Sequence, residues 1–144
     1  MTETQTARFN AAWNRVNAVY ESFARRQGSS FSGMLVFAHI AQAEGCTQKE
    51  ICERALLNKQ TANSIVKALR DRGLVELKPL KSDRRSKGIF LTEEGLRFAE
   101  KTVGRIAEAE RIAMSSLPPE LREALTEGLL AYGSAFRETL LGEV

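Results

Sequence analysis

The stretch from Thr47 to Gly73 constrains the fold most, because it must hold two short helices joined by a tight turn. Thr47-Gln48-Lys49-Glu50 is a capping box. The Thr47 hydroxyl can accept from the third helical amide, and Glu50 can reach back to the amide of Thr47. The helix so started runs to about Ala55. Leu56-Leu57 turns the chain, Asn58 caps the next helix, and Gly73 stops it after Arg72. This is a helix-turn-helix arrangement.

The pattern changes after Gly73. Leu74-Val75-Glu76-Leu77 alternates as a strand, and Ile89-Phe90-Leu91 returns as a second. Between them Lys78 to Gly88 is polar and basic, too long for a two-residue hairpin turn. A hairpin directly after a helix-turn-helix is a wing. Thr92-Glu93-Glu94-Gly95 then caps a long helix, with acids in its favourable first turn. Pro118-Pro119 ends that helix, and Pro119 opens a last one reaching about Leu140.

Upstream, Phe9, Trp13, Val16, Tyr20 and Phe23 recur at helical steps, which predicts a helix over 6–27. Gln27-Gly28-Ser29-Ser30 breaks it. From about Gly33 to Glu44 a helix is apolar nearly all round, as a central buried helix is, and Gly45 is placed to end it. The expected fold class is mainly α with a small β-wing. Residues 1–30 supply an N-terminal dimerisation helix, 31–92 the winged helix-turn-helix, and 93–144 C-terminal dimerisation helices, all in one compact domain. The first and last helices carry apolar stripes (Leu121, Leu125, Leu129, Tyr132, Phe136 and Leu140 in the last) that a small winged domain alone does not cover. A homodimer would bury them, and operators are commonly read by two-fold dimers.

The chain has 144 residues, about one domain's worth. Its net charge of +3 hides an asymmetry. Residues 58–88 hold nine Lys/Arg and three Asp/Glu, a local +6, which leaves −3 for the remainder. A focused basic stretch suits a local anionic partner, of which double-stranded DNA is the usual one, although a solvated charged face has the same composition. No apolar run approaches the ~20 residues of a membrane span. The N-terminus lacks the features of a signal peptide, so a cytoplasmic location and no membrane partner are expected. There is no nucleophile–base set, phosphate-cradling glycine loop or metal-ligand cluster. No enzyme activity, catalytic residue, cofactor or metal is therefore expected.

At 100° per residue the helix from Asn58 buries Ala62, Ile65, Val66 and Leu69 and turns Gln60, Ser64 and Lys67 outward, with Thr61 and Asn63 on the flanks. Lys59 stands at its start. A recognition helix needs such a face: its N-terminal half enters the major groove, where amides and hydroxyls meet base edges. An ordinary solvent-exposed helix also looks like this. The wing adds weight, because Lys78, Lys81, Arg84, Arg85 and Lys87 crowd one tip. An arginine there can enter a narrow minor groove. Asp83 sits among these cations either as a turn-former or as a carboxylate that holds Arg85 in one pose, with Arg84 on phosphate.

The run from Thr47 to about Lys101 resembles MarR-family regulators. It does so through Thr47-Gln48-Lys49-Glu50-Ile51, Asn58-Lys59-Gln60-Thr61, Arg72-Gly73-Leu74-Val75, Asp83-Arg84-Arg85 and Leu91-Thr92-Glu93-Glu94-Gly95. The resemblance implies a mostly helical dimer whose subunits each offer a winged helix-turn-helix to a pseudo-palindromic operator, with repression relieved by a small ligand or by oxidation. It places Thr47, Lys59, Gln60, Thr61, Asn63, Ser64, Lys67, Asp83, Arg84, Arg85 and Lys87 at the DNA. Recognition helices in the family are often more basic or richer in serine than Gln60, Asn63 and Ser64 make this one.

The expected sensor is less defined. In the family, effector pockets lie between the dimer helices and the winged region, and Trp13, Tyr20, Phe23, Arg25, Phe37 and His39 come from helices that could border one. An aromatic wall with an arginine suits an aromatic carboxylate; the same residues also suit a core or dimer interface. Cys46, just before a helix start where thiol pKa values fall, is the redox candidate, with plain packing as its alternative. Two other functions stand beside the ligand-responsive repressor: a winged-helix protein-interaction module without DNA binding, and a thiol-based redox-sensing regulator.

Overall fold

A computed structural model describes residues 3–142. The ends of the expected first and last regions, at 1–2 and 143–144, lie outside the described residues. The chain divides into two units, Met1–Gly104 and Arg105–Val144. The first contains α1 (Glu3–Arg26), α2 (Phe31–Gln42), α3 (Gln48–Ala55), α4 (Lys59–Asp71), β1 (Val75–Pro79), β2 (Lys87–Leu91), α5 (Glu93–Ala99) and a π-helical turn, Glu100–Gly104. The second contains α6 (Arg105–Ser115) and α7 (Pro119–Leu141). The fold is mainly α with one two-stranded antiparallel sheet, as the sequence predicts.

The core of the first unit gathers around α2, which touches α1, α3, α4, α5 and β2. Val36, Phe37 and Ile40 meet Ile51 of α3, Ala62, Val66 and Leu69 of α4, and Leu74, Val75, Ile89 and Leu91 around the hairpin. These side chains carry no polar atoms, so burying them costs no hydrogen bonds. Helix α2 begins earlier than the apolar pattern suggests. Ser30, read in sequence as part of the breaker, is its cap, accepting from the amide of Gly33 at 3.0 Å. Gly28, Gly45 and Gly73 all take positive φ, of 72°, 82° and 72°, and each follows a helix.

The capping box forms as expected. The Thr47 hydroxyl accepts from the Glu50 amide at 3.3 Å, and Glu50 Oε2 accepts from the Thr47 amide at 2.7 Å. The turn after α3 holds a surprise, because Leu56 adopts the left-handed conformation, φ 53° and ψ 41°. That conformation costs an L-residue with a full side chain roughly 1–2 kcal/mol. The side chain is 91% exposed and recovers little by packing. Leu56→Asn should therefore stabilise the protein by about 0.5–1 kcal/mol. A urea melt with an unchanged or lower midpoint would count against the strain.

Register in the hairpin pairs Val75 with Leu91, Leu77 with Ile89 and Pro79 with Lys87. The strands extend further toward the tip than the alternation alone indicates, so the loop narrows to residues 80–86. Cys46 adds an isolated bridge to β2: Ile89 donates to its carbonyl and Gly45 donates to the carbonyl of Ile89, both at 2.8 Å. The helix-turn-helix and the wing are thus tied by main-chain bonds just ahead of α3.

The single long helix expected from Thr92 is interrupted. Between α5 and α6 the backbone widens into the π-helical turn. Thr102, fully buried there, donates its hydroxyl to the carbonyl of Phe98 at 2.6 Å. A side chain that takes a main-chain acceptor disturbs the regular ladder, and Gly104 at the end of the turn lowers helix propensity further.

Candidate nucleic-acid interface

Helix α4 starts at Asn58, whose side-chain oxygen accepts from the amide of Thr61 at 2.8 Å. The helix buries Ala62, Val66 and Leu69. Its two faces therefore divide as the helical wheel requires, with Lys59, Gln60, Thr61, Asn63, Ser64 and Lys67 all exposed. Two of them already have partners. The Ser64 hydroxyl donates to the carbonyl of Gln60 at 3.0 Å, leaving it as an acceptor toward any outside group. Lys67 pairs with Asp71, one turn on, at 3.1 Å. Thr47, half-buried, serves the start of α3 with its hydroxyl oxygen and still has its hydroxyl proton to offer.

The wing tip departs from one expectation. Asp83 makes no ion pair with the Arg85 guanidinium among the described residues. Its Oδ1 instead accepts from the backbone amide of Arg85 at 3.0 Å, and its Oδ2 from the Ser86 hydroxyl at 2.9 Å. The Ser86 amide in turn donates to the Asp83 carbonyl at 3.1 Å. A carboxylate reaches the amide two residues on without strain, which is the geometry of an Asx-turn. Asp83 therefore shapes the backbone of the turn whose central residues are Arg84 and Arg85, and both side chains stay exposed.

Charge partners sort the basic residues. Lys78 lies 2.8 Å from Glu76 and over the ring of Phe90 at 5.7 Å, so it belongs to the hairpin itself. Among the described residues, Lys59, Lys81, Arg84, Arg85 and Lys87 have no acid within ion-pair distance. A crevice of about 370 Å³ runs along one flank of α4, lined by Gln48, Asn63, Val66, Lys67, Arg70, Asp71 and Leu77.

The expected sensor residues are dispersed. Phe37 is in the core, edge-on to Phe98 at 5.2 Å. Tyr20 packs on Phe31 at 5.4 Å, and Trp13, 47% exposed, stacks on Phe9 at 6.1 Å. Arg25 already pairs with Glu21 at 3.3 Å. Phe23 lines a shallow depression with Ala18, Val19, Ser22 and Arg26, and His39 is half-buried on α2.

Cys46 overturns the idea of a lowered thiol pKa. Burial raises it first, and Glu50 raises it further, so the thiolate that redox chemistry needs is disfavoured. The thiol is packed against the core that joins α2 to β2. Alkylation of Cys46 at neutral pH should run far slower in the folded protein than in urea. Equal rates in the two states would show an accessible thiol instead.

Comparison with known proteins bears on the winged region directly. Residues 31–86 match the model of the MarR family. The winged helix-turn-helix of this chain is thus similar to that of the MarR family. No curated protein sequence matches the chain. Three solved structures share the fold over nearly the whole chain. A MarR-family regulator from Neisseria meningitidis is 24% identical, with 97% of each chain covered and a TM-score of 0.74. S. aureus MepR in complex with DNA is 19% identical, covering 94% of this chain and 99% of that one, with a TM-score of 0.74. Bordetella bronchiseptica BpsR, described with regulation of its DNA binding by 6-hydroxynicotinic acid, is 17% identical, covering 89% of this chain and 91% of that one, with a TM-score of 0.70.

Within the winged region and the helix that follows it, the sequence motifs acquire physical roles. Thr92 caps α5, accepting from Gly95 at 3.0 Å, while its own hydroxyl donates to the carbonyl of Gly73 at 2.6 Å and its amide to that of Leu74 at 3.1 Å. The end of α4 and the start of α5 are thereby stapled together across the hairpin. Two links escaped sequence reasoning, the Cys46 bridge and the placement of Arg72. Neither carries a local signal, since both depend on partners more than 40 residues away.

Proposed function

We propose that the chain is a sequence-specific DNA-binding transcription regulator, acting as a homodimer in the cytoplasm and not as an enzyme. The observation that carries this reading is the wing turn: Asp83 builds it from backbone bonds, and Arg84 and Arg85 stand exposed on it without acid partners. Exposed like charges repel one another, and a polyanion relieves that repulsion. In this reading Gln60 and Asn63 meet base edges in the major groove, Thr61, Ser64 and Lys67 flank them, and Lys59 and Thr47 lie toward phosphate. Arg85 enters the minor groove, with Arg84 and Lys87 on the backbone.

A gel shift with DNA from upstream of the chain's own gene, in excess nonspecific competitor, tests the reading. A discrete complex should form and weaken with salt along a log–log slope near −0.9 per phosphate neutralised. A protein-interaction module would form no competitor-resistant complex on any member of a genomic fragment library.

The dimer rests on apolar surface. Trp13, Val16 and Val19 on α1 and Leu121, Leu125, Leu129, Tyr132, Phe136 and Leu140 on α7 are all exposed. Stripes this long on a soluble protein mark an interface. Leu125→Glu puts a charge in the middle of the α7 stripe and should yield monomers in sedimentation at micromolar concentration. Dimers that persist would remove α7 from the interface.

The finer reading is a repressor released by a small effector. It draws support from the regulation described for BpsR. An effector at α1 would meet Trp13, Tyr20, Phe23 and Arg25, with His39 near the end of α2 and Phe37 supporting from the core. Burial of Cys46 disfavours the thiol-sensing alternative.

A further inference from the structure

Arg72 is the last residue before the left-handed Gly73 that ends α4. Its guanidinium reaches partners outside α4. One nitrogen donates to the carbonyl of Gln27 at 3.0 Å and another to that of Gly28 at 3.2 Å. These carbonyls stand at the C-terminal end of α1, where the helix dipole leaves partial negative charge. The guanidinium carbon also lies over the ring of Phe98, 4.9 Å from its centre, and Phe98 packs edge-on against Phe37. One side chain therefore joins α4 to the end of α1, to α5 and to the core.

The packing gives this link its importance. Helix α1 packs against α2. Its end reaches α4 through the Arg72 fork. In a dimer that uses the exposed face of α1, the relative placement of α1 and α4 sets the separation of the two recognition helices. We propose that Arg72 is a positioning residue for DNA binding: it touches no base, and it fixes the angle at which α4 is presented relative to the dimer helix. The proposal rests on the reading of the chain as a DNA-binding dimer.

The chemistry is specific to arginine. A planar fork can bond two neighbouring carbonyls and stack on a ring at once, whereas a lysine offers one compact ammonium and a methionine offers neither donor. The link is exposed, so water competes for it and its share of global stability is small. Its effect should appear in geometry more than in melting temperature.

The test is a selection from DNA libraries in which two half-sites are separated by variable spacers, run with the wild type, Arg72→Met and Arg72→Lys. Half-site spacing mirrors the separation of recognition helices, so the wild type should favour one spacing over its neighbours by about a hundredfold. Arg72→Met should keep the half-site sequence preference and let spacing discrimination fall to about tenfold or less, with Arg72→Lys in between. Circular dichroism confirms that each variant is folded. If Arg72→Met fails to fold, Arg72→Lys alone decides by the same criterion. A folded variant with the wild-type spacing profile overturns the positioning role. So does one that loses half-site preference at unchanged spacing, which would place Arg72 among the readers of DNA. A wild type without any sequence or spacing preference overturns the DNA-binding reading, and this role with it.

Discussion

Gly95→Ala should lower stability by about 3 kcal/mol, or about 10 °C in melting temperature, although it adds only a methyl group in the first turn of a helix. Elsewhere in a helix the same change is stabilising. Here the added Cβ would fall on the carbonyl oxygen of Leu74, well inside contact distance, and within 3.4 Å of the Leu91 Cβ. The obstructing atom is backbone, and it cannot rotate away as a side chain would. It is also engaged, accepting from the amide of Thr92. Relief would have to pull α5 off the end of α4 and break the bond from Thr92 to Gly73. Calorimetry on the two proteins decides the point. A melting temperature within 2 °C of the wild type, at roughly 2–4 °C per kcal/mol for this size, would mean that α5 is free to shift.

Arg85→Ala should weaken specific DNA binding by about a hundredfold while leaving the fold intact. The side chain is exposed and unpaired, and charge-assisted bonds of this kind contribute about 1.5–3 kcal/mol each. Its backbone amide still donates to Asp83 in the variant, so the turn persists. The effect is then that of the guanidinium alone. Fluorescence anisotropy at fixed salt measures it. An affinity within threefold of the wild type would remove Arg85 from the minor groove, since a desolvated arginine contact of ~1.5 kcal/mol is already worth a factor of ten. A companion variant, Asp83→Ala, separates the side chain from its platform. It frees the Arg85 amide and the Ser86 hydroxyl, disordering the turn that presents both arginines.

These two residues also mark what was readable in the sequence. The Leu-Thr-Glu-Glu-Gly run announces a capped helix, and Gly95 looks at that level like an ordinary concession in helix propensity. Only the approach of Leu74 explains why no side chain fits. The Asp-Arg-Arg run announces a basic wing, and the carboxylate among cations invites an ion pair. The observed turn uses the amide of Arg85, because a main-chain donor two residues away is held at the right distance by covalent geometry. A long, solvated guanidinium is not.

The sequence by itself determined the elements that depend on near neighbours. Capping by Thr47, Asn58 and Thr92, termination at Gly28, Gly45 and Gly73, the apolar centre at α2, and the outward set of Gln60, Ser64 and Lys67 with Thr61 and Asn63 on its flanks all follow from spacings of two to four residues. Tertiary structure alone decided what depends on distant partners. Burial raised the pKa of Cys46 where its place before a helix start pointed the other way. The Thr102 hydroxyl, taken into the core, accompanies a π-turn in what the pattern gives as one helix. The aromatic residues of α1 and α2 went to separate partners, with Phe37 in the core and Tyr20 on Phe31. Arg72, one more cation in a basic segment by sequence, found the carbonyls of Gln27 and Gly28. Local bonds are encoded by what lies one helical turn away, whereas desolvation and long-range hydrogen bonds exist only once the chain has brought remote segments together.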